Sequence, residues 1–155
     1  MGIYKLKKSQ NLAITLKEAW SFFSDPGNLS KITPPSLELE ITSDISDTIY
    51  EGMIITYNVK PLPYYKTTWV TEITHINSPY HFIDEQRVGP YKLWHHQHFF
   101  TETDNGIVME DLVHYSVPYG YLGNLLNNLY INRNLEYIFN YRSEILDKIF
   151  PNNNK

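Results

Sequence analysis

The chain of 155 residues has no cysteine. Disulfides, a thiolate nucleophile and cysteine-ligated zinc are thereby excluded, and the composition suits a reducing compartment. Charge is sparse as well: 13 Lys and Arg stand against 17 Asp and Glu, a formal charge of −4. So weak and acidic a balance gives no electrostatic footprint for nucleic acid or for an anionic membrane surface. No apolar run approaches the roughly twenty residues of a membrane span, and the opening MGIYKLKKSQ lacks the apolar stretch of a secretory leader. A cytoplasmic protein without membrane insertion is expected. The chain also has no Walker or G-x-G-x-x-G loop and no G-x-S-x-G elbow.

Aromatic residues are abundant, with 13 Tyr, 7 Phe and 3 Trp. Strands favour such rings, and a cavity lined by amphipathic rings uses the same composition. The length suits one domain, expected over residues 1–150, with the Asn-rich end 151–155 a frayed tail.

The hydrophobic period changes twice along the chain. YKLKKSQNLAI reads as a strand, and TLKEAWSFFSD as a helix opened by a capping box between Thr15 and Glu18. Pro26 and Gly27 end that helix, a short turn follows, and Pro34 with Pro35 stops it. Six β-rich runs occupy Leu37 to Pro118. A helical stripe then follows through Leu122, Leu125, Leu126, Leu129, Leu135, Ile138, Phe139, Arg142, Ile145, Leu146 and Ile149. The expected fold is α+β: a curved antiparallel sheet around a long C-terminal helix, with two short helices after the first strand. A sheet of this kind must bury one face, and only the terminal helix is large enough to cover it.

Half of the six histidines fall in WHHQHFF, Trp94–Phe100. On a strand, Trp94, His96, His98 and Phe100 share one face. The TETDNG turn pairs this strand with the next. A two-residue loop at Asn105-Gly106 gives partners summing to 211, and a four-residue loop from Thr103 gives 209. Either odd sum places Met109, Asp111, Val113, Tyr115 and Val117 on the same face as the histidines.

Three readings compete for this cluster. One is a structural network in which His98 bonds Asp111 and His96 bonds a Tyr hydroxyl. Another is a polar cavity wall that orients a ligand. The third is a divalent ion on His96, His98 and Asp111, but i,i+2 histidines on a strand specify a metal far less than H-E-x-x-H on a helix. No metal and no cofactor are therefore expected. A catalytic version would use His98 oriented by Asp111 as general base, with Tyr115 or Tyr57 stabilising an enolate. Elsewhere, Arg87 reads as a solvent-facing cross-strand pair. Pro61 and Pro63 interrupt pairing beside Tyr64 and Tyr65, which could form an aromatic mouth. Tyr119 and Tyr121, around Gly120, could gate it.

FFSDPGNLSKITPP, FIDEQRVGPYKLWHHQHFF, MEDLVHYSVPYGYLG and IFNYRSEIL together resemble the SRPBCC, or START/Bet v 1-like, superfamily over about residues 3 to 149. The similarity is to its small bacterial ligand-binding branch, often labelled cell-division inhibitor or polyketide cyclase-like. The resemblance implies a helix-grip domain enclosing a cavity for hydrophobic or aromatic molecules. On that basis the expected role is binding or carriage of an apolar small molecule, with Tyr57, Trp94, His96, His98, Phe100, Met109, Asp111, Val113 and Tyr115 at the ligand. A weak homodimer is compatible with this reading. The alternatives are a cyclase- or dehydratase-like enzyme using His98 and Asp111, with Tyr115 as a further catalytic candidate, and a structural or interaction domain without a ligand.

Overall fold

The computed structural model describes residues 2–62 and 64–151, so Pro63 and the expected tail beyond 151 lie outside the described residues. Its elements are β1 (Tyr4–Leu12), α1 (Leu16–Phe23), two 3₁₀ turns (Pro26–Ile32 and Pro35–Leu37), β2 (Glu40–Ile41), β3 (Ile54–Leu62), β4 (Tyr65–Asn77), β5 (His81–Val88), β6 (Leu93–Thr103), β7 (Gly106–Ser116), α2 (Gly120–Leu126) and α3 (Asn132–Ile149). A π-helical turn, Asn127–Ile131, joins α2 to α3. The strands form one antiparallel sheet in the order β1-β7-β6-β5-β4-β3-β2. This is the α+β helix-grip architecture that the sequence pattern implies.

Local chemistry explains the boundaries. Thr15 accepts from the Glu18 amide and Glu18 reaches back to the Thr15 amide, so the capping box is present at the start of α1. Asp25 caps the first 3₁₀ turn, accepting from the Gly27 amide at 2.8 Å. Between β6 and β7 the register sums to 209, with Thr103 opposite Gly106. The turn residues are thus Asp104 and Asn105, and Gly106 opens β7. Glycine is needed there because φ is +132° and a Cβ would lie 2.2 Å from the Leu12 carbonyl oxygen.

The concave face buries Trp94, His96, His98 and Phe100 of β6 together with Met109, Asp111, Val113 and Tyr115 of β7 and Val117 just past its end. α3 lies across it through Leu135, Phe139 and Leu146, which are 1–4 % exposed. The first half of the expected stripe does not follow. Leu122, Leu125, Leu126 and Leu129 are 45–61 % exposed, whereas Gly123 and Asn127 are buried. The inward positions run Gly123, Asn127, Ile131, Leu135 and Phe139, every fourth residue through the wider π turn. Gly123 sits so close to the preceding loop that a Cβ would fall 1.8 Å from the Pro118 carbonyl oxygen. Backbone proximity, rather than the leucine pattern, sets the rotation of α2.

Candidate functional site

Under α3 the sheet encloses a cavity of about 190 Å³. Most of its wall is apolar: Phe22, Phe23, Leu29 and Ile32 on one side, Val59, Trp69 and Trp94 on the sheet with Tyr91 from the β5–β6 loop, and Leu135, Ile138 and Phe139 on α3. The indoles of Trp69 and Trp94 meet edge to face at 5.3 Å, and Tyr91 packs on both. Gln86 anchors Tyr91 by donating to its carbonyl at 2.7 Å and accepting from its amide at 3.2 Å.

Besides Asp25, Asn28, Thr33 and Asn134, two connected groups of polar side chains break this wall. The first comprises Asp84, His96, His98 and Arg142, with Asp111 behind them. The β5–β6 register pairs Asp84 with His96 and Phe82 with His98. Cross-strand partners share a face, so Asp84 joins the histidines. The β6–β7 register brings Asp111 opposite His98. Each imidazole consequently stands between two carboxylates. His98 Nε2 is 2.7 Å from Asp84 Oδ2, and its Nδ1 is 3.0 Å from Asp111 Oδ1 but lacks hydrogen-bond alignment. His96 Nε2 is 2.8 Å from Asp111 Oδ1, and its Nδ1 is 3.4 Å from Asp84 Oδ2. Arg142 reaches down from α3 to both Asp111 oxygens at 3.2 Å.

Protonation follows from these contacts. Burial alone would raise Asp111, but the Arg142 guanidinium, the hydrogen bond from His96 and the neighbouring His98 ring hold it well below the usual carboxylate range. Asp84 is likewise held low: burial opposes ionisation, and the two imidazoles with Arg142 prevail. Burial would lower His98, yet the Asp111 and Asp84 carboxylates beside its two ring nitrogens keep it above the ordinary imidazole value. Burial, reinforced by the charge on His98, holds His96 below that value despite both carboxylates. Near neutral pH these directions favour a balanced cluster, with His98 cationic beside the Arg142 guanidinium, Asp84 and Asp111 anionic and His96 neutral. A neutral His96 bonded to a carboxylate through Nε2 carries its proton there, so its Nδ1 lone pair faces Asp84.

Asp84, His96 and His98 each offer one ligand atom, all within 4.8 Å of one another. A divalent cation entering between them would have to displace the proton that His98 shares with Asp84.

The second polar group lies on β3 and β4. Trp69 Nε1 donates to Thr71 Oγ1 at 3.1 Å, and Thr71 Oγ1 shares a hydrogen bond of 3.0 Å with the Tyr57 hydroxyl. Burial pushes the Tyr57 phenol above its ordinary range, so it stays protonated.

Of the residues singled out in the sequence, Tyr57, Trp94, His96 and His98 line the cavity. Asp111 stands behind the histidines. Phe100, Met109, Val113 and Tyr115 share the concave face but are packed in the core, Phe100 against Trp20, Phe23 and Phe82, and Tyr115 against Tyr4, Tyr91 and Trp94. The Tyr115 hydroxyl donates to Asn132 at 3.4 Å, away from His96, and His96 pairs with Asp111 instead of a tyrosine. Asp84, Trp69 and Thr71 were not anticipated as site residues, and the sequence pattern places Arg142 only on the helical stripe facing the sheet. Parity did not supply Asp84: a two-residue turn at Gly89-Pro90 gives the odd sum 179, whereas the observed β5–β6 register sums to 180, and only that even sum puts Asp84 opposite His96. Among the surface residues, Arg87 pairs with Glu72 and Glu85 on the outer face. Tyr64, Tyr119 and Tyr121 are 79–101 % exposed, and none of them lines the cavity.

No protein-family model matches the chain, and no curated protein matches it. Solved structures do share its fold. A Chromobacterium violaceum protein superposes with a TM-score of 0.72 at 9 % identity, covering 97 % of this chain and 99 % of its own. The di-domain aromatase/cyclase StfQ of the steffimycin biosynthetic pathway gives 0.70 at 11 % identity, with 96 % of this chain covering 50 % of StfQ. Norcoclaurine synthase of Thalictrum flavum, in complex with a transition-state analogue, gives 0.66 at 15 % identity over 96 % of both chains. Identities this low establish the shared helix-grip fold and nothing finer.

Proposed function

We propose that this helix-grip domain is an acid–base enzyme that moves a proton on a small carbonyl compound, as in cyclisation, dehydration or isomerisation. The observation that carries the proposal is the Asp84–His98 pair, 2.7 Å apart, on the wall of a mostly apolar cavity. Burying such a pair costs several kcal/mol per ion before compensation. A carrier of apolar molecules gains nothing from that cost, whereas proton transfer requires it. Asp84 faces the cavity and serves as the proton acceptor. His98 fixes its orientation, and the His96 Nδ1 lone pair 3.4 Å away can take the proton onward. Asp111, held by Arg142, aligns both imidazoles from behind. The proton returns to a second position on the substrate, so the cluster ends with its original charge. Two of the structural neighbours, an aromatase/cyclase and a synthase, are enzymes by name, which supports a catalytic over a carrier role.

Hydrogen–deuterium exchange on phenylacetone, followed by NMR in D₂O, tests the reading. Asp84→Asn and His98→Gln are each expected to slow catalysed exchange by at least about tenfold while the ketone still binds, because an interaction specific to the transition state is lost. Binding by the wild-type protein without exchange across a panel of such ketones would return the domain to the carrier reading.

A further inference from the structure

The second polar group has a hydrogen too many. Trp69, Thr71 and Tyr57 contribute one N–H and two O–H hydrogens. Two hydrogen bonds join them, from Trp69 to Thr71 and between Thr71 and Tyr57. Whichever hydroxyl donates in the second bond, the other keeps an unused hydrogen. Both residues line the cavity, and both are 5–9 % exposed, so bulk water does not satisfy it.

We infer that the Tyr57–Thr71 pair is the specificity site of the cavity, donating this hydrogen to an acceptor oxygen on a single-ring ligand; the assignment rests on the cavity being the substrate site. Position supports it. In the β4–β5 register Thr71 stands opposite Gln86 and Ile73 opposite Asp84, so Thr71 is the diagonal neighbour of Asp84 on the concave face. Diagonal neighbours lie about 7–8 Å apart, a distance one aromatic ring with a short oxygenated side arm can bridge. Volume sets the size class. An engineered apolar cavity of about 150 Å³ holds benzene, and the 190 Å³ here leaves room for one ring and a few further atoms. Multi-ring and long-chain ligands would have to extend beyond it toward solvent. Charge sets the polarity: the Tyr57 phenol stays protonated because burial raises it, so it acts as donor. The anionic Asp84 would reject a ligand carboxylate placed beside it. The ligand class is therefore a neutral one-ring ketone or aldehyde, its oxygen on Tyr57–Thr71 and its transferable proton toward Asp84.

Acetophenone and cumene are matched probes, since the carbonyl oxygen of one is a methyl group in the other. Their dissociation constants would be measured on the wild type, Tyr57→Phe, Thr71→Val and the double variant. Each single variant retains one free hydroxyl hydrogen and should keep most of the wild-type preference. The double variant retains none, and because loss of Thr71 also frees the Trp69 N–H it is measured in a Trp69→Phe background; there the acetophenone-to-cumene preference should fall on the order of tenfold relative to Trp69→Phe alone, with cumene binding reporting an intact cavity. An unchanged ratio in the double variant overturns the anchor while leaving the catalytic reading standing. Failure of the wild type to bind either probe overturns both. Should the double variant not fold, the carbonyl stretch of acetophenone bound to His98→Ala decides: a frequency below that in hexane supports the hydroxyl donor, and a hexane-like frequency overturns it.

Discussion

His98 and His96 are two residues apart on one strand and titrate in opposite directions. His98 is raised, so the stability it contributes is present in full below its ordinary value near 6.5 and is lost as pH rises through its folded value. His96 is lowered, so below about 6.5 the unfolded chain binds a proton that the folded chain refuses, and stability falls. Asp84, Asp111 and Arg142 are the other charged groups facing both rings. Melting temperatures of His98→Asn and His96→Asn between pH 5 and 8, referenced to wild type, should therefore change with pH in opposite senses. Parallel profiles would show that the two imidazoles are not held in different states. Arg142→Met removes the guanidinium from Asp111 and leaves a buried charge without its principal counter-ion. Its expected cost is about 3–5 kcal/mol in denaturant unfolding, well above that of a surface pair such as Arg87 with Glu72. Zinc added at neutral pH should produce no saturable rise in melting temperature, because the site already balances its charge with protons. A saturable rise abolished by His96→Ala would establish a cation site.

At the scale of the element, the terminal helix has two faces with different histories. Leu146 is 1 % exposed and lies away from the cavity, so Leu146→Ala should cost about 2–5 kcal/mol. Leu135 borders the cavity, and Leu135→Ala should cost less because part of its contact is to empty space. Leu122 is 60 % exposed despite belonging to the same sequence stripe, and Leu122→Ala should stay within about 0.5 kcal/mol of wild type. Gly123→Ala should be the severe change in α2, since no backbone shift short of lifting the helix from Pro118 accommodates a Cβ. Urea unfolding of the four variants ranks them directly, and a large loss at Leu122 would mean that the leucine row is covered.

Over the whole molecule, sheet curvature and α3 leave one cavity wall in which most side chains are apolar and the exceptions come from the first 3₁₀ turn with its caps, from β3, β4, β5 and β6, and from α3. Among the described residues, no helix is long and apolar enough to cross a membrane.

Much of this was determined by the sequence alone, where the governing interactions are local or follow parity. The capping box at Thr15 and Glu18, the six strands of the middle and the burial of both β6 and β7 faces follow from side-chain period and turn chemistry. The shared face of His96, His98 and Asp111 holds for either register, because a strand alternates its side chains whatever turn precedes it. Other features were decided only by tertiary structure. Which carboxylate faces the cavity depends on β5, which brings Asp84 to the open side and leaves Asp111 behind the rings. The guanidinium that neutralises Asp111 arrives from a helix 31 residues later in the chain. The leucines of α2 point outward because a glycine against a carbonyl and a π turn fix the helix rotation, and hydrophobic periodicity contains neither distance. The Trp69–Thr71–Tyr57 chain also spans two strands joined by a bulged hairpin, so its register, and with it the spare hydroxyl hydrogen, exists only once the sheet has closed.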